Sequence, residues 1–153
     1  MLIRSANGAD ITRIAALVRL YWELESIQGF NESRIESLLR GLLAAPEHGA
    51  CWVAETAGSI VGYLIAVYMF SLEHGGFMAE IDEFFVTAAG RSAGVGSSLM
   101  EIAERDISAL GMRRVQLQLA VDNGRARAFY QGRGFSPRAG YELLDKALRG
   151  SLL

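Results

Sequence analysis

Cysteine is nearly absent from this sequence: Cys51 stands alone, so no internal disulfide can form. It lies in the apolar run Ala50-Cys51-Trp52-Val53-Ala54, where a buried structural thiol is expected rather than a nucleophile. Histidine is also scarce. His48 and His74 are far apart and lack Cys or acidic companions at ligand spacing, which argues against a metal site. His74, beside Gly75 and Gly76, reads as a turn residue. No run of Lys or Arg occurs and the net charge is -2, so no basic surface for nucleic acid is expected. The start, Met1-Leu2-Ile3-Arg4-Ser5, carries no long apolar segment after a basic head. Neither a signal peptide nor a membrane span is therefore expected, and the expected location is cytoplasmic.

What is present is the composition of a folded core. Of 153 residues, 51% are hydrophobic and 21% charged, which excludes a disordered chain and suits one domain over residues 1–153. No repeat, low-complexity tract or linker divides it.

Along the chain, Asn7 with Asp10 three positions on reads as a helix start, and Ile11, Ile14, Leu17, Val18 and Tyr21 follow helical spacing. Ser33-x-x-Glu36 is a candidate capping box for a second helix with Ile35, Leu38, Leu39 and Leu42 as its stripe, stopped by Ala45-Pro46. Two strand-like runs, 50–56 and 59–70, meet at Ala57-Gly58 as a hairpin. A further strand, Glu80 to Val86, runs through a glycine-containing loop into a helix from about Gly94 to Leu110. Alternation from Val115 to Val121 predicts a strand, Asp122-Asn123-Gly124 opens another helix, and residues 140 to 148 are expected to form a last strand. The strand-helix-strand order suggests a parallel pair.

The stretch after the Glu80–Val86 strand has the character of a phosphate cradle. Small residues following Arg91 let backbone N–H groups approach an anion, and the next helix directs its positive end to the same place. The pattern Arg91-x-x-Gly94-x-Gly96 lacks the Lys-Ser or Lys-Thr of a P-loop and the glycine spacing of dinucleotide folds. Taken alone, it is equally an ordinary strand-to-helix turn.

Two motifs in order narrow this. Val86-x-x-x-x-Arg91-x-x-Gly94-x-Gly96 resembles the CoA pyrophosphate loop of the GNAT superfamily of acyl-CoA-dependent N-acyltransferases. Downstream, Asn123-x-x-Ala126-x-x-x-Tyr130-x-x-x-Gly134-Phe135 resembles that family's second signature. The resemblance spans nearly the whole chain. It implies an α/β GNAT fold, with a central mixed, largely antiparallel sheet, a parallel strand pair at the acyl-CoA cleft and helices on both faces. Ala88 and Ser92 depart from the family, which often has Pro and Gly there. Diphosphate binding is expected to survive, since its donors are backbone N–H groups.

The resemblance also implies acetyl-CoA as acyl donor, held by Arg91, Ser92, Ala93, Gly94, Val95, Gly96 and Ser97, with backbone groups of Phe85 and Val86 pairing with pantetheine. Tyr130 falls where the family has a tyrosine that protonates the departing thiolate and lies against the cofactor; an aromatic on an inner helix face is its plain alternative. Asn123 is a candidate pantetheine partner or simply a helix cap.

Chemistry supplies the remaining role. A protonated amine must lose a proton before it attacks a thioester, and a carboxylate near the acyl group assists. Alternation places Glu80 and Asp82 on the face of Phe84 and Val86, with Glu83 opposite. Some histone-type members place a glutamate base at the position matching Glu80, so Glu80 leads as base with Asp82 second; solvated edge charge is the alternative. Tyr21, Trp22 and Glu25 are candidates for the acceptor pocket, or for core. The expected activity is acetyl transfer from acetyl-CoA to the primary amine of a small molecule, by direct attack in a ternary complex. A protein lysine or N-terminal acetyltransferase is the alternative, though Gln118 stands where ribosomal-protein N-terminal acetyltransferases tend to carry glutamate. A non-catalytic acyl-CoA-binding regulator is the second alternative, and a homodimer is left open.

Overall fold

The computed structural model describes residues 1–150, which fall into two compact units, one spanning Met1–Gln118 and the other beginning at Leu119. The first unit contains a five-stranded sheet, β1 (Leu2–Ser5), β2 (Gly49–Thr56), β3 (Ser59–Ser71), β4 (Gly76–Val86) and β5 (Val115–Leu117), ordered as numbered. Pairing is antiparallel from β1 to β4 and parallel between β4 and β5, as the expected mixed sheet requires. Ala57 and Gly58 take φ of +50° and +78° between β2 and β3, the left-handed pair that matches a tight hairpin to the twist of its strands.

Helices lie on both faces. On one, α1 (Ile11–Leu24) and α2 (Glu32–Ala44) lay Ile14, Val18, Ile35 and Leu39 against Cys51, Val53, Tyr63, Ile65 and Phe85. Full burial of each aliphatic side chain contributes about 1.5–3 kcal/mol. Burial also pushes the Cys51 thiol up to about 12, so at neutral pH it packs as an uncharged group. The opposite face carries α4 (Val95–Ala109), whose Leu99, Met100, Ala103 and Ile107 are buried and whose Asp106 accepts a 2.9 Å hydrogen bond from Trp52 Nε1.

The helix starts show how local chemistry sets these elements. Asn7 Oδ1 accepts from Ala9 N and Asp10 Oδ2 from Asn7 N, each at 2.9 Å, closing the anticipated cap over a 3-10 turn at Gly8–Asp10 that leads into α1. At α2 the expected Ser33–Glu36 box gives way to Asn31, whose side chain accepts from Arg34 N at 2.9 Å. Asn31 enters in extended backbone, as a cap must, and Ser33 lies within the helix.

In the second unit, α5 (Gly124–Gly132) is capped by Asn123, whose Oδ1 accepts from Ala126 N at 3.1 Å. Residues 140 to 148 form no strand. Their apolar side chains keep no alternation past Leu143, and Tyr141, Leu143, Leu144 and Leu148 are exposed, so no buried face holds a ladder there. The strand expected from 115 to 121 likewise ends at Leu117. Among the described residues, no helix is long and apolar enough to cross a membrane.

Candidate functional site

The key feature of β4 is an irregularity. Ile65 of β3 pairs with Glu83 but the next residue, Ala66, pairs with Ile81, leaving Asp82 as the extra residue of a bulge. Opposed residues of an antiparallel pair project to the same side, so Glu80 (opposite Val67), Glu83 (opposite Ile65) and Phe85 (opposite Tyr63) share one face. This corrects the alternation expected for the strand. Glu80 does not share the face of Phe84 and Val86, and Glu83 does not oppose it, because one inserted residue reverses the sides of everything before it.

On that face Glu83 is half-buried and held at both oxygens. Trp22 Nε1 donates to Oε1 at 2.6 Å and the Tyr63 hydroxyl donates to Oε2 at 2.8 Å. Burial raises the Glu83 proton affinity; the two donors oppose that rise, and the charge of Asp82 adds to it. Tyr63 is raised as well, by burial first and then by Glu83, so it stays a neutral donor. Neither Glu83 nor Tyr63 was singled out as a site residue from the sequence. The bulge that brings them together has no local signature.

The expected base candidates are placed differently. Glu80 receives Gln116 Nε2 at 2.5 Å and Gln118 Nε2 at 3.4 Å, amides from β5 and the residue just beyond it. Asp82 reaches the surface, yet desolvation by the protein around it, and then the charge of Glu80, raise its carboxyl above the usual value. Tyr21 and Trp22 pack beside the core on the α1 face: the Tyr21 ring lies 5.7 Å from Phe85, and Trp22 meets Phe30 edge-on at 6.0 Å. Burial raises the Tyr21 phenol, with Glu25, Glu83 and Asp82 adding to the shift. Core and pocket readings of these aromatics are therefore compatible. Glu25 itself is exposed.

The β4–β5 ladder joins only Ala79–Ile81 to Val115–Leu117, whereas β4 continues through Asp82, Glu83, Phe84, Phe85 and Val86. From Glu83 to Val86, β3 supplies a partner on one side and β5 none on the other. The strand then enters a short helix, α3 (Ala88–Arg91), which was expected as loop, and Gly94 caps α4 with φ of +71°. Ser98 N reaches Gly94 O at 3.1 Å, while the N–H groups of Val95, Gly96 and Ser97 belong to the first turn and have no intrahelical acceptor. A strand that runs on beyond its parallel partner suits the amides of an extended pantetheine arm, and a helix N-terminus suits a diphosphate. Residues and group fit.

Side chains around the loop are individually placed. Arg91 Nε donates to Val86 O at 3.0 Å, with its guanidinium 5.9 Å from the Phe85 ring centre, so the arginine ties the loop to the strand end. Val95 is buried, whereas Arg91, Ser92, Ala93 and Ser97 are exposed. A Cβ at Gly90 would stand 2.8 Å from Val86 Cγ1, a close approach that only glycine permits without rearrangement. In the second unit Tyr130 is half-buried, with Phe129 at 5.4 Å and Phe135 at 5.5 Å from its ring centre. Phe135 N donates to Tyr130 O at 3.0 Å after Gly134 turns through φ of +89°. Asn123, the helix cap, lies seven residues before Tyr130 on the same short element.

A mixed sheet whose parallel pair stops short, with the longer strand feeding a helix N-terminus, defines the class of N-acyltransferase folds. The chain belongs to the acetyltransferase (GNAT) family, whose model matches residues 14–135. It is 30% identical over 132 residues to an uncharacterized N-acetyltransferase of Archaeoglobus fulgidus, covering 85% of this chain and 89% of that one. It is 24% identical to the uncharacterized N-acetyltransferase YhfO of Bacillus subtilis, covering 92% and 93%. Among solved structures, AAC(6')-Iy in complex with the bisubstrate analog CoA-S-monomethyl-acetylneamine shares the fold, with a TM-score of 0.82, 18% identity, and coverage of 96% of this chain and 98% of that one.

Proposed function

We propose that this protein transfers an acetyl group from acetyl-CoA to the primary amine of a small molecule, by direct attack within a ternary complex. The observation that carries the reading is that β4 runs on to Val86 beyond its ladder with β5, which ends at Ile81, and leads to the N-terminus of α4. Acetyl-CoA supplies the activated thioester. Main chain at Phe85 and Val86 aligns its pantetheine arm, and the stretch Arg91–Ser97 holds its diphosphate. Tyr130 donates a proton to the departing thiolate, Asn123 supports the bound arm while capping α5, and Tyr21, Trp22 and Glu25 line the acceptor side. A carboxylate of β4 takes the ammonium proton, with Glu80 and Asp82 the candidates that strand position suggests. In this reading residues 1–153 are a single N-acetyltransferase domain that works in the cytoplasm.

Direct transfer is favoured over an acyl-enzyme because the single thiol, Cys51, is buried and its pKa is pushed up to about 12. The small-molecule acceptor is supported by AAC(6')-Iy, whose bisubstrate analog joins CoA to acetylneamine. Calorimetric titration with acetyl-CoA, followed by thiol-release assays on small amines and on lysine and N-terminal peptides, tests the reading. Saturable binding with release on small amines is expected. Activity confined to peptides would overturn the acceptor, and absence of binding would overturn the whole assignment.

A further inference from the structure

Glu83 is the one carboxylate of β4 whose two oxygens are both oriented from the α1 side, by Trp22 Nε1 at 2.6 Å and the Tyr63 hydroxyl at 2.8 Å. The donors come from α1 and β3, so the direction of the carboxylate is set by two packed elements rather than by its own strand. Both donors are neutral. Among the described residues no Arg, Lys or His pairs with Glu83, and the titratable groups that face it, Tyr21, Cys51, Tyr63 and Asp82, bring no positive charge. Two hydrogen bonds from neutral donors offset only part of the cost of withdrawing a carboxylate from water without a counter-charge. The remaining negative potential, walled by Tyr21, Trp22, Tyr63 and Phe85, suits a cation, and an ammonium group fits both the charge and the aromatic faces.

The other two acids are less suited. Glu80 shares the face but is drawn toward the amides of Gln116 and Gln118, and Asp82 is exposed at the bulge, where no side-chain donor among the described residues orients it. We propose that Glu83, aligned by Trp22 and Tyr63, receives the ammonium group of the acceptor and takes its proton. This rests on the acetyl-transfer reading and assigns the base within it. One proton passes from R–NH3+ to a Glu83 oxygen, leaving R–NH2 and a neutral carboxyl. The nitrogen lone pair then forms the C–N bond as the C–S bond breaks with its electron pair on sulfur. The surplus proton of the nitrogen ends on that sulfur, and Glu83 releases its own to water. Trp22 and Tyr63 act as positioning residues; the half-buried setting that raises the Glu83 proton affinity makes it a stronger base than an exposed glutamate.

The test uses the full chain, acetyl-CoA, and three probe amines: cadaverine, lysine methyl ester and neamine. Glu83→Gln keeps shape and removes the base; kcat/KM for the best amine should fall by about a hundredfold or more with acetyl-CoA affinity unchanged. Tyr63→Phe removes a donor that favours the charged carboxylate, so the acidic limb of the kcat/KM profile should move to higher pH, a shift that a merely structural tyrosine would not produce. Without acetyl-CoA, the carboxyl carbon resonance missing from the Glu83→Gln spectrum should titrate above the ordinary value of 4.5, and higher still in Tyr63→Phe. Turnover by Glu83→Gln within threefold of the parent, or an unmoved acidic limb in Tyr63→Phe, overturns the role of Glu83 and leaves acetyl transfer standing. Acetyl-CoA binding without turnover of any probe overturns both readings, and failure to bind acetyl-CoA overturns the acetyl-transfer reading beneath this one. Should Glu83→Gln not fold, the Tyr63→Phe profile decides.

Discussion

Replacing Asp10 with Asn should weaken the protein by an amount that its hydrogen bonds define. Asp10 is fully buried, and its carboxylate accepts from Arg4 Nη1 at 2.7 Å, Arg4 Nη2 at 2.9 Å, Arg13 Nη2 at 2.7 Å and Asn7 N at 2.9 Å. Arg4 also reaches Glu55 at 2.8 Å, so one carboxylate links β1, β2 and the start of α1. The Arg4 hydrogen bonds, against the opposing effect of burial, lower the Asp10 pKa from 3.8 to about 2. A difference of 1.8 units (3.8 minus 2) corresponds to about 2.5 kcal/mol at about 1.36 kcal/mol per unit. The guanidinium partners are 26% and 43% exposed, and solvent screening reduces this to about 1–2 kcal/mol. Because the folded-state pKa is the lower one, this stabilisation is present above 3.8 and is lost as pH falls through about 2. Urea unfolding of parent and Asp10→Asn should therefore differ by about 1–2 kcal/mol at pH 7, and by about half of that near pH 3. Equal stability at pH 7, or a gap that persists undiminished at pH 3, would refute the reasoning.

Two further substitutions probe the loop and the second unit. Gly90→Ala places a methyl 2.8 Å from Val86 Cγ1 in a buried turn and should cost about 1–3 kcal/mol, seen as a lowered Tm; an unchanged Tm would show that the loop yields freely. Tyr130→Phe should bind acetyl-CoA as the parent does while releasing thiol at least about tenfold more slowly, since general acids contribute about a hundredfold or more. Unchanged turnover at saturating acetyl-CoA would remove the proton-donor role.

Much of the framework was legible because it is encoded over short distances. The apolar stripes Ile14–Val18 and Ile35–Leu39, the Ala57-Gly58 turn and the Asn7 and Asn123 caps depend on neighbours within a few residues, and each produced the expected element. The pair of motifs around Arg91–Gly96 and Asn123–Phe135 led to the family in which the chain belongs. Two readings failed where an element depends on a distant partner. The strand β1 exists because Leu2–Ser5 finds Trp52–Glu55, and residues 140 to 148 remain irregular despite their leucines.

The amino-acid sequence by itself determined α1, α2, α4 and α5, the hairpin and the set of acids on the strand Glu80–Val86. Only the tertiary structure decided which way those acids face. Glu83 joins Trp22 and Tyr63 because one residue, Asp82, is extruded where β4 pairs with β3. Side-chain direction in a strand follows the count of paired residues, and that count is set by hydrogen bonds to another strand, more than fifteen residues away in sequence on the other arm of the hairpin.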